Sequence, residues 1–306
     1  MHDLETIYKK VYKTLKEEVP ECFPEGENHR KYPNPPKMSD LSIISLAITA
    51  ECLEITSENL LWSKITKDYP ALFPNLIHRA SFNRRRKNLC DVIARCMTAL
   101  GGRLISRDEL FTIDSFPIPV CRIIREKQSK ACRRPELDEV LANKGYNKIL
   151  GGYFIGYKIH MITSRSGVYV DLYITPASTH DVMFLKELNE SDTHLVDRTL
   201  LGDKAYISEA NQLRLWNDLN LRLEVPYRKN QKDRSVYPIS SRNSRKSIEV
   251  VFSQYCDEFR MKHNYAKRFR GFEARIVTKI AAKTFKQYWN YKNGNPINKT
   301  KHALAA

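Results

Sequence analysis

At 306 residues the chain has length for one large domain or two smaller ones, and its 42% hydrophobic and 10% aromatic content is ordinary for a globular protein. Charge sets it apart: the formal net charge is +16, and the stretch from Arg222 onward, with 20 Lys/Arg against 6 Asp/Glu, carries +14 of it. Such a local excess points to a phosphate-rich partner, nucleic acid first, and no apolar run or leader supports a membrane or secreted protein.

The expected location is therefore cytoplasmic and nucleoid-associated. Seven scattered cysteines (22, 52, 90, 96, 121, 132 and 256) form no CxxC pair. Buried reduced thiols are expected, not a zinc site or a disulfide framework.

In chain order, residues 1–20 read as a helix with Leu4, Ile7, Val11 and Leu15 on one face. A Pro- and Gly-rich loop follows over 20–38. Ser39 or Asp40 can cap a second helix and Ser57 with Glu58 a third. A fourth is expected from Ser81 to Leu100, ended by Gly101-Gly102 as a glycine cap. Residues 1–104 thus read as an all-helical domain. Arg84, Arg85 and Arg86 open its last helix. They suit a DNA groove, with a solvated basic turn as the alternative.

Character changes near residue 110. Strands are expected over 110–116, 153–163, 167–175, 199–203 and 221–227, with Ser164-Arg165-Ser166-Gly167 as a hairpin turn. Helices fit 181–190, 207–219, 244–261 and 271–289. An antiparallel trio of strands followed by alternating helix and strand is the order of a ribonuclease-H-like α/β domain, a mixed sheet with flanking helices. Its expected range is 105–292, with a polar tail over 293–306.

Three acids stand out. Asp114 closes a strand-like run before Ser-Phe-Pro-Ile-Pro, which should not continue as a central strand. Asp203 follows an apolar run and a glycine in LLGDKAY. Glu249 sits beside the apolar stripe Ile248, Val251, Phe252, Tyr255 and Phe259 of a helix, with Arg245 one turn earlier. The bland alternatives are helix caps for the aspartates and a surface i,i+4 ion pair for Arg245 and Glu249. Converging carboxylates in a basic chain suit Mg²⁺ and phosphoryl transfer on a polyanion.

ID-S at 113–115, the G-x-K-x-H run Gly156–His160, TPASTHD at 175–181, LLGDKAY at 200–206, and Arg245-x-x-x-Glu249 followed by VVFSQ resemble DDE transposases of bacterial insertion sequences. Among these the chain is similar to the IS982 family within the IS4-like group, over roughly residues 105–290. The resemblance implies that Asp114, Asp203 and Glu249 are metal ligands for Mg²⁺, with Mn²⁺ as a substitute. It implies Arg245 as a catalytic-site residue. It also implies DNA-end binding by the helical domain of residues 1–104, DNA partners (terminal inverted repeats and target DNA) and a homo-oligomer on DNA. One departure stands in the Y-x2-R-x3-E-x6-K pattern of the wider group: Arg242 replaces the tyrosine and Cys256 the lysine. No expectation about hairpin ends follows.

His160, His180 and Asp181 are secondary candidates, while Asp171, alternating with Val170 and Leu172, reads as exposed on a polar face. Arg122, Arg133 and Arg134 are expected to clamp DNA near the site. Arg275, Lys279 and Lys283 form a basic stripe on the last helix with no compensating acids nearby in sequence. The expected activity is cleavage at element ends and strand transfer. The alternatives are a structure-selective nuclease that does not join and a DNA-binding regulator without chemistry.

Overall fold

The computed structural model describes residues 3–106, 108–148, 151–189, 192–227 and 239–304. The chain divides into two compact units: residues 1–104, 255–265 and 270–306, and residues 105–254 and 266–269. No helix among the described residues is long and apolar enough to cross a membrane.

The first unit is helical: α1 (Leu4–Glu18), α2 (Asp40–Cys52), α3 (Glu58–Asp68), α4 (Arg79–Asn88), α5 (Cys90–Ile105) and most of α8 (Phe269–Lys292). Side chains of Asp3, Ser39, Ser57 and His78 cap the first four helices, each accepting from a first-turn N–H. The expected fourth helix is two helices joined at Leu89, and the second runs through Gly101-Gly102 to Ile105. That glycine pair therefore caps nothing.

The last helix is a second correction. Expected in the domain spanning 105–292, its residues from Arg270 on belong to the helical unit. Every residue from Ile276 to Asn290 is buried there, as in a helix surrounded by others. The tail holds one 3-10 turn over Thr300–Leu304, and 305–306 lie outside the described residues.

The second unit is built on one mixed sheet: β1 (Leu110–Cys121), β2 (Asn143–Asn147), β3 (Gly152–Ser164), β4 (Tyr169–Pro176), β5 (Thr199–Leu201) and β6 (Arg222–Glu224). The strand path is β2-β3-β1-β5-β6, with β4 also on β3. β1, β3 and β4 run antiparallel, whereas β1, β5 and β6 run parallel. An antiparallel trio continued by parallel strands is the ribonuclease-H-like order expected from the sequence.

The expected hairpin turn forms, with Gly167 at φ 74° and the Ser164 N–H donating to the Val168 carbonyl. β1, however, continues through Pro117 and Pro119 instead of stopping before them. Past Thr112 it pairs only with β3. Two prolines of the same parity put both donor-less nitrogens on one side, so an open edge tolerates them. Two helices complete the unit, α6 (Glu209–Leu219) and the start of α7 (Ile239–Asp257). The expected helix at 181–190 is a 3-10 turn over Asp181–Lys186. Phe111, Ile113, Ile162, Leu200, Leu215 and Leu223 belong to the buried core of this unit.

Candidate active site

β1 and β5 pair in parallel with Thr112 opposite Leu201. Asp114 and Asp203 each lie two residues further on. Side chains alternate along a strand and neighbouring strands are about 4.8 Å apart, so both carboxylates leave the same end of the parallel pair on the same face. Asp114 does not end its strand; it sits within β1, opposite Met161 of β3. What ends there is β5. Gly202 permits this closeness: a Cβ at that position would lie 3.2 Å from Ile113 Cγ2, 3.2 Å from Val225 Cγ1 and 3.3 Å from Tyr206 Cβ.

Burial pushes the Asp114 carboxyl up to about 7, and neighbouring Asp203 and Asp181 add to the rise. The Ser115 N–H, donating to Asp114 Oδ1 at 2.7 Å, and the Arg245 charge oppose it. Asp203 also caps the 3-10 turn Lys204–Tyr206, its Oδ1 accepting from the Ala205 N–H at 2.8 Å. The capping alternative is thus realised through one oxygen, which leaves the other for a ligand. Tyr206 is fully buried, and burial with Asp114, Asp181 and Asp203 close by drives its hydroxyl far above its usual range.

Asp181, a secondary candidate, joins this group. Its Oδ1 accepts from Ser115 Oγ at 2.9 Å and from Lys158 Nζ at 2.7 Å. His160 is wholly buried, with Nε2 2.8 Å from Thr175 Oγ1 and Nδ1 3.8 Å from Asp181. Burial lowers its pKa to about 4 against the pull of Asp181. It is a neutral, hydrogen-bonded residue of the sheet. His180 is exposed and precedes the 3-10 turn without a side-chain capping bond. Ser115, Lys158 and Tyr206 were not singled out from the sequence, although each lies inside one of the motif runs.

α7 supplies the remaining candidates. Ile248, Val251 and Tyr255 are buried, as the stripe requires, and Phe259 is buried just past the end of the helix at Asp257, short of the expected 261. The Phe252 ring lies 4.3 Å from that of Phe116, which shares the Asp114 face of β1. Arg245 is partly buried and close enough to Asp114 to bias its proton. Glu249 is exposed, one helical turn from Arg245 and three residues before Phe252. The fold brings together Asp114, Asp203, Asp181 and Arg245, whereas Glu249 lies on the exposed surface of α7.

The basic candidates separate. Arg84 and Arg122 are exposed, and Arg133 and Arg134 partly so. Arg85 instead pairs with Asp40 at 2.5 Å, and buried Arg86 pairs with Glu58 at 2.9 Å. The stripe on α8 is turned largely inward. Lys279 and Lys283 are fully buried, and Arg275 pairs with Glu58 at 3.4 Å. Lys279 pairs with Glu51 at 2.6 Å. The compensating acids exist after all; they come from far along the chain.

Asp171 is also corrected. It is partly buried, and its carboxylate lies with Asp192 and His194 so that one donor atom from each falls within 4.8 Å of the others. Neither partner was anticipated, because a turn and a mid-strand position carry no spacing signal.

Residues 106–269, more than half the chain, match the family model described as a transposase DDE domain. No curated protein matches the chain at a significant level. Among solved structures, a piggyBac transposase synaptic complex with hairpin DNA aligns at 11% identity over 100% of this chain and 79% of that one, TM-score 0.46. A Mos1 transposase paired-end complex with the left transposon end aligns at 13% identity over 87% and 82%, TM-score 0.24. Neither likeness carries the fold assignment, which stands on the strand order.

Proposed function

This chain belongs to the transposase DDE domain family and is a DNA transposase; we propose that it is an insertion-sequence transposase of the IS982 family within the IS4-like group. In this reading Asp114, Asp203 and Glu249 hold a divalent cation, Mg²⁺ with Mn²⁺ as substitute. The observation that carries it is the pairing of Thr112 with Leu201, which sets Asp114 beside Asp203. The donor set fits the ion. Oxygen ligands suit Mg²⁺, and Asp114, whose carboxyl is pushed up to about 7 chiefly by burial and further by Asp203 and Asp181, is a buried acid that a cation would hold ionised. When bound, the metal polarises the attacked phosphodiester and offsets charge on the leaving oxygen.

The chain's own groups do the rest. Arg245, partly buried beside Asp114, grips a phosphate next to the scissile bond with its planar fork. Lys158 balances Asp181 and keeps that acid from adding a full charge to the site. Water cleaves the phosphodiester at the element end, leaving a 3′-hydroxyl and a 5′-phosphate. That hydroxyl then attacks a target phosphodiester, and a target 3′-oxygen leaves. The helical unit of residues 1–104 recognises the terminal inverted repeats, with exposed Arg84 among its contacts. Arg122, Arg133 and Arg134 hold DNA entering the site, and the protein works as a homo-oligomer on DNA in the nucleoid.

The test is mobility in cells. A marker flanked by the DNA bordering this gene should move from a donor plasmid when the wild-type chain is supplied, and not with Asp203→Asn. Cleavage of element ends without any joined product would favour the non-joining nuclease instead.

A further inference from the structure

Asp171 stands in β4 opposite Ile162, beside a register shift in the β3–β4 pairing. Asp192 and His194 lie in the short turn that precedes β5. That turn is tied down: the Asp192 N–H donates to the Asn189 carbonyl at 2.9 Å, and the Leu195 N–H donates to the Asp192 carbonyl at 2.8 Å. Leu195 is fully buried in the sheet's core. Two carboxylates and an imidazole from segments about twenty residues apart are thus held together, with donor atoms within 4.8 Å.

A second observation concerns what is missing. The partly or fully buried acids Asp40, Glu51, Glu58 and Asp181 each have an arginine or lysine partner. Among the described residues no ion pair with lysine or arginine reaches Asp171 or Asp192. Leu172 N–H occupies one oxygen of Asp171 at 2.7 Å, and Asn189 N–H one oxygen of Asp192 at 2.8 Å. Each carboxylate keeps a second oxygen for a cation.

We propose that Asp171, Asp192 and His194 form a structural site for a transition-metal dication, Zn²⁺ foremost, separate from the catalytic acids. The imidazole decides the metal class, since a nitrogen donor beside two carboxylates suits Zn²⁺ and not Mg²⁺, which takes oxygen and water. Tetrahedral Zn²⁺ at 2.0–2.2 Å holds its donors about 3.4 Å apart, so the three groups need to close by little more than an ångström. Water would complete the coordination. The consequence is mechanical: the ion staples the turn before β5 onto β4 and so steadies the strand that delivers Asp203.

Calorimetric titration of the metal-free full chain with Zn²⁺ alone tests this, read together with thermal unfolding. Asp203→Asn, which disables the catalytic metal site, should still bind one Zn²⁺ and unfold at higher temperature in its presence, and the wild type should bind that same ion in addition to any held by the catalytic acids. In the Asp203→Asn background, Asp171→Asn and His194→Ala should each weaken binding at least tenfold and lose the thermal shift. His194 is exposed, so His194→Ala keeps the test valid even if Asp171→Asn does not fold. Unchanged Zn²⁺ affinity in His194→Ala, or affinity lost only in Asp203→Asn, overturns the proposal.

Discussion

Lys283 is where the one-dimensional and three-dimensional readings collide most sharply. As part of an exposed stripe it would contribute to DNA affinity; in the structure it is fully buried. Its ammonium faces Asn298 Oδ1 at 3.2 Å and the Tyr255 ring at 5.6 Å, with the Glu258 charge nearby. Burial lowers its pKa from 10.5 to about 7, despite Glu258. Below pH 7 folded and unfolded chains both carry the proton. Between pH 7 and 10.5 only the unfolded chain does, so folding releases it and stability rises with pH. At 1.36 kcal/mol per unit, the rise from pH 7 to 9.5 is at most about 3 kcal/mol. Lys283→Met removes the group. The variant should be more stable than wild type at pH 7 by up to about 5 kcal/mol, an advantage that shrinks as pH rises. Urea midpoints of both proteins at pH 7, 8.5 and 9.5 measure the difference and cancel other titrating groups. The salt slope of DNA binding should not change. A pH-independent difference, or a slope lowered by about one unit, would refute the buried placement.

Other predictions concern the two units separately. Arg86→Ala should destabilise the protein by about 3 kcal/mol in urea unfolding, because a buried pair with Glu58 is broken; Arg84→Ala, at an exposed position, should weaken DNA binding and leave unfolding unchanged. Gly202→Ala should cost about 1–3 kcal/mol of stability, because three contacts of 3.2–3.3 Å must give, and should lower the cleavage rate by moving Asp203. His160 should show no imidazole titration by NMR between pH 5.5 and 8, since its pKa is about 4. Because the unfolded chain takes up that proton first, stability should fall as pH drops from 6.5 toward 4.

Much of the fold was legible because its signals are local. The runs at 110–116, 153–163 and 167–175 alternate or fill with apolar residues, and each became part of a strand. Asp203 stood out because an apolar run stops just before it, and β5 does end at Leu201; Asp114 stood out for the same reason, although β1 runs on past it to Cys121. Their adjacency was not legible, because only the Thr112–Leu201 register creates it. Residues 81–100 read as one helix because periodicity continues across Leu89, where the backbone breaks. The α8 lysines read as solvated because a lysine stripe normally is; Glu51 lies 228 residues from Lys279, beyond any local pattern. Asp171 failed likewise, since Asp192 and His194 meet it only through the turn before β5.

We propose that Asp114, Asp203 and Glu249 together perform strand transfer. The most direct test joins a labelled, precut element end carrying a 3′-hydroxyl to supercoiled plasmid, with purified protein and Mg²⁺. The wild type should give labelled plasmid products. Asp114→Asn, Asp203→Asn and Glu249→Gln should each reduce them by at least a thousandfold while still binding the end. Full joining by Glu249→Gln, with the two aspartate variants inactive, would contradict the account by taking the exposed glutamate on α7 out of the catalytic trio.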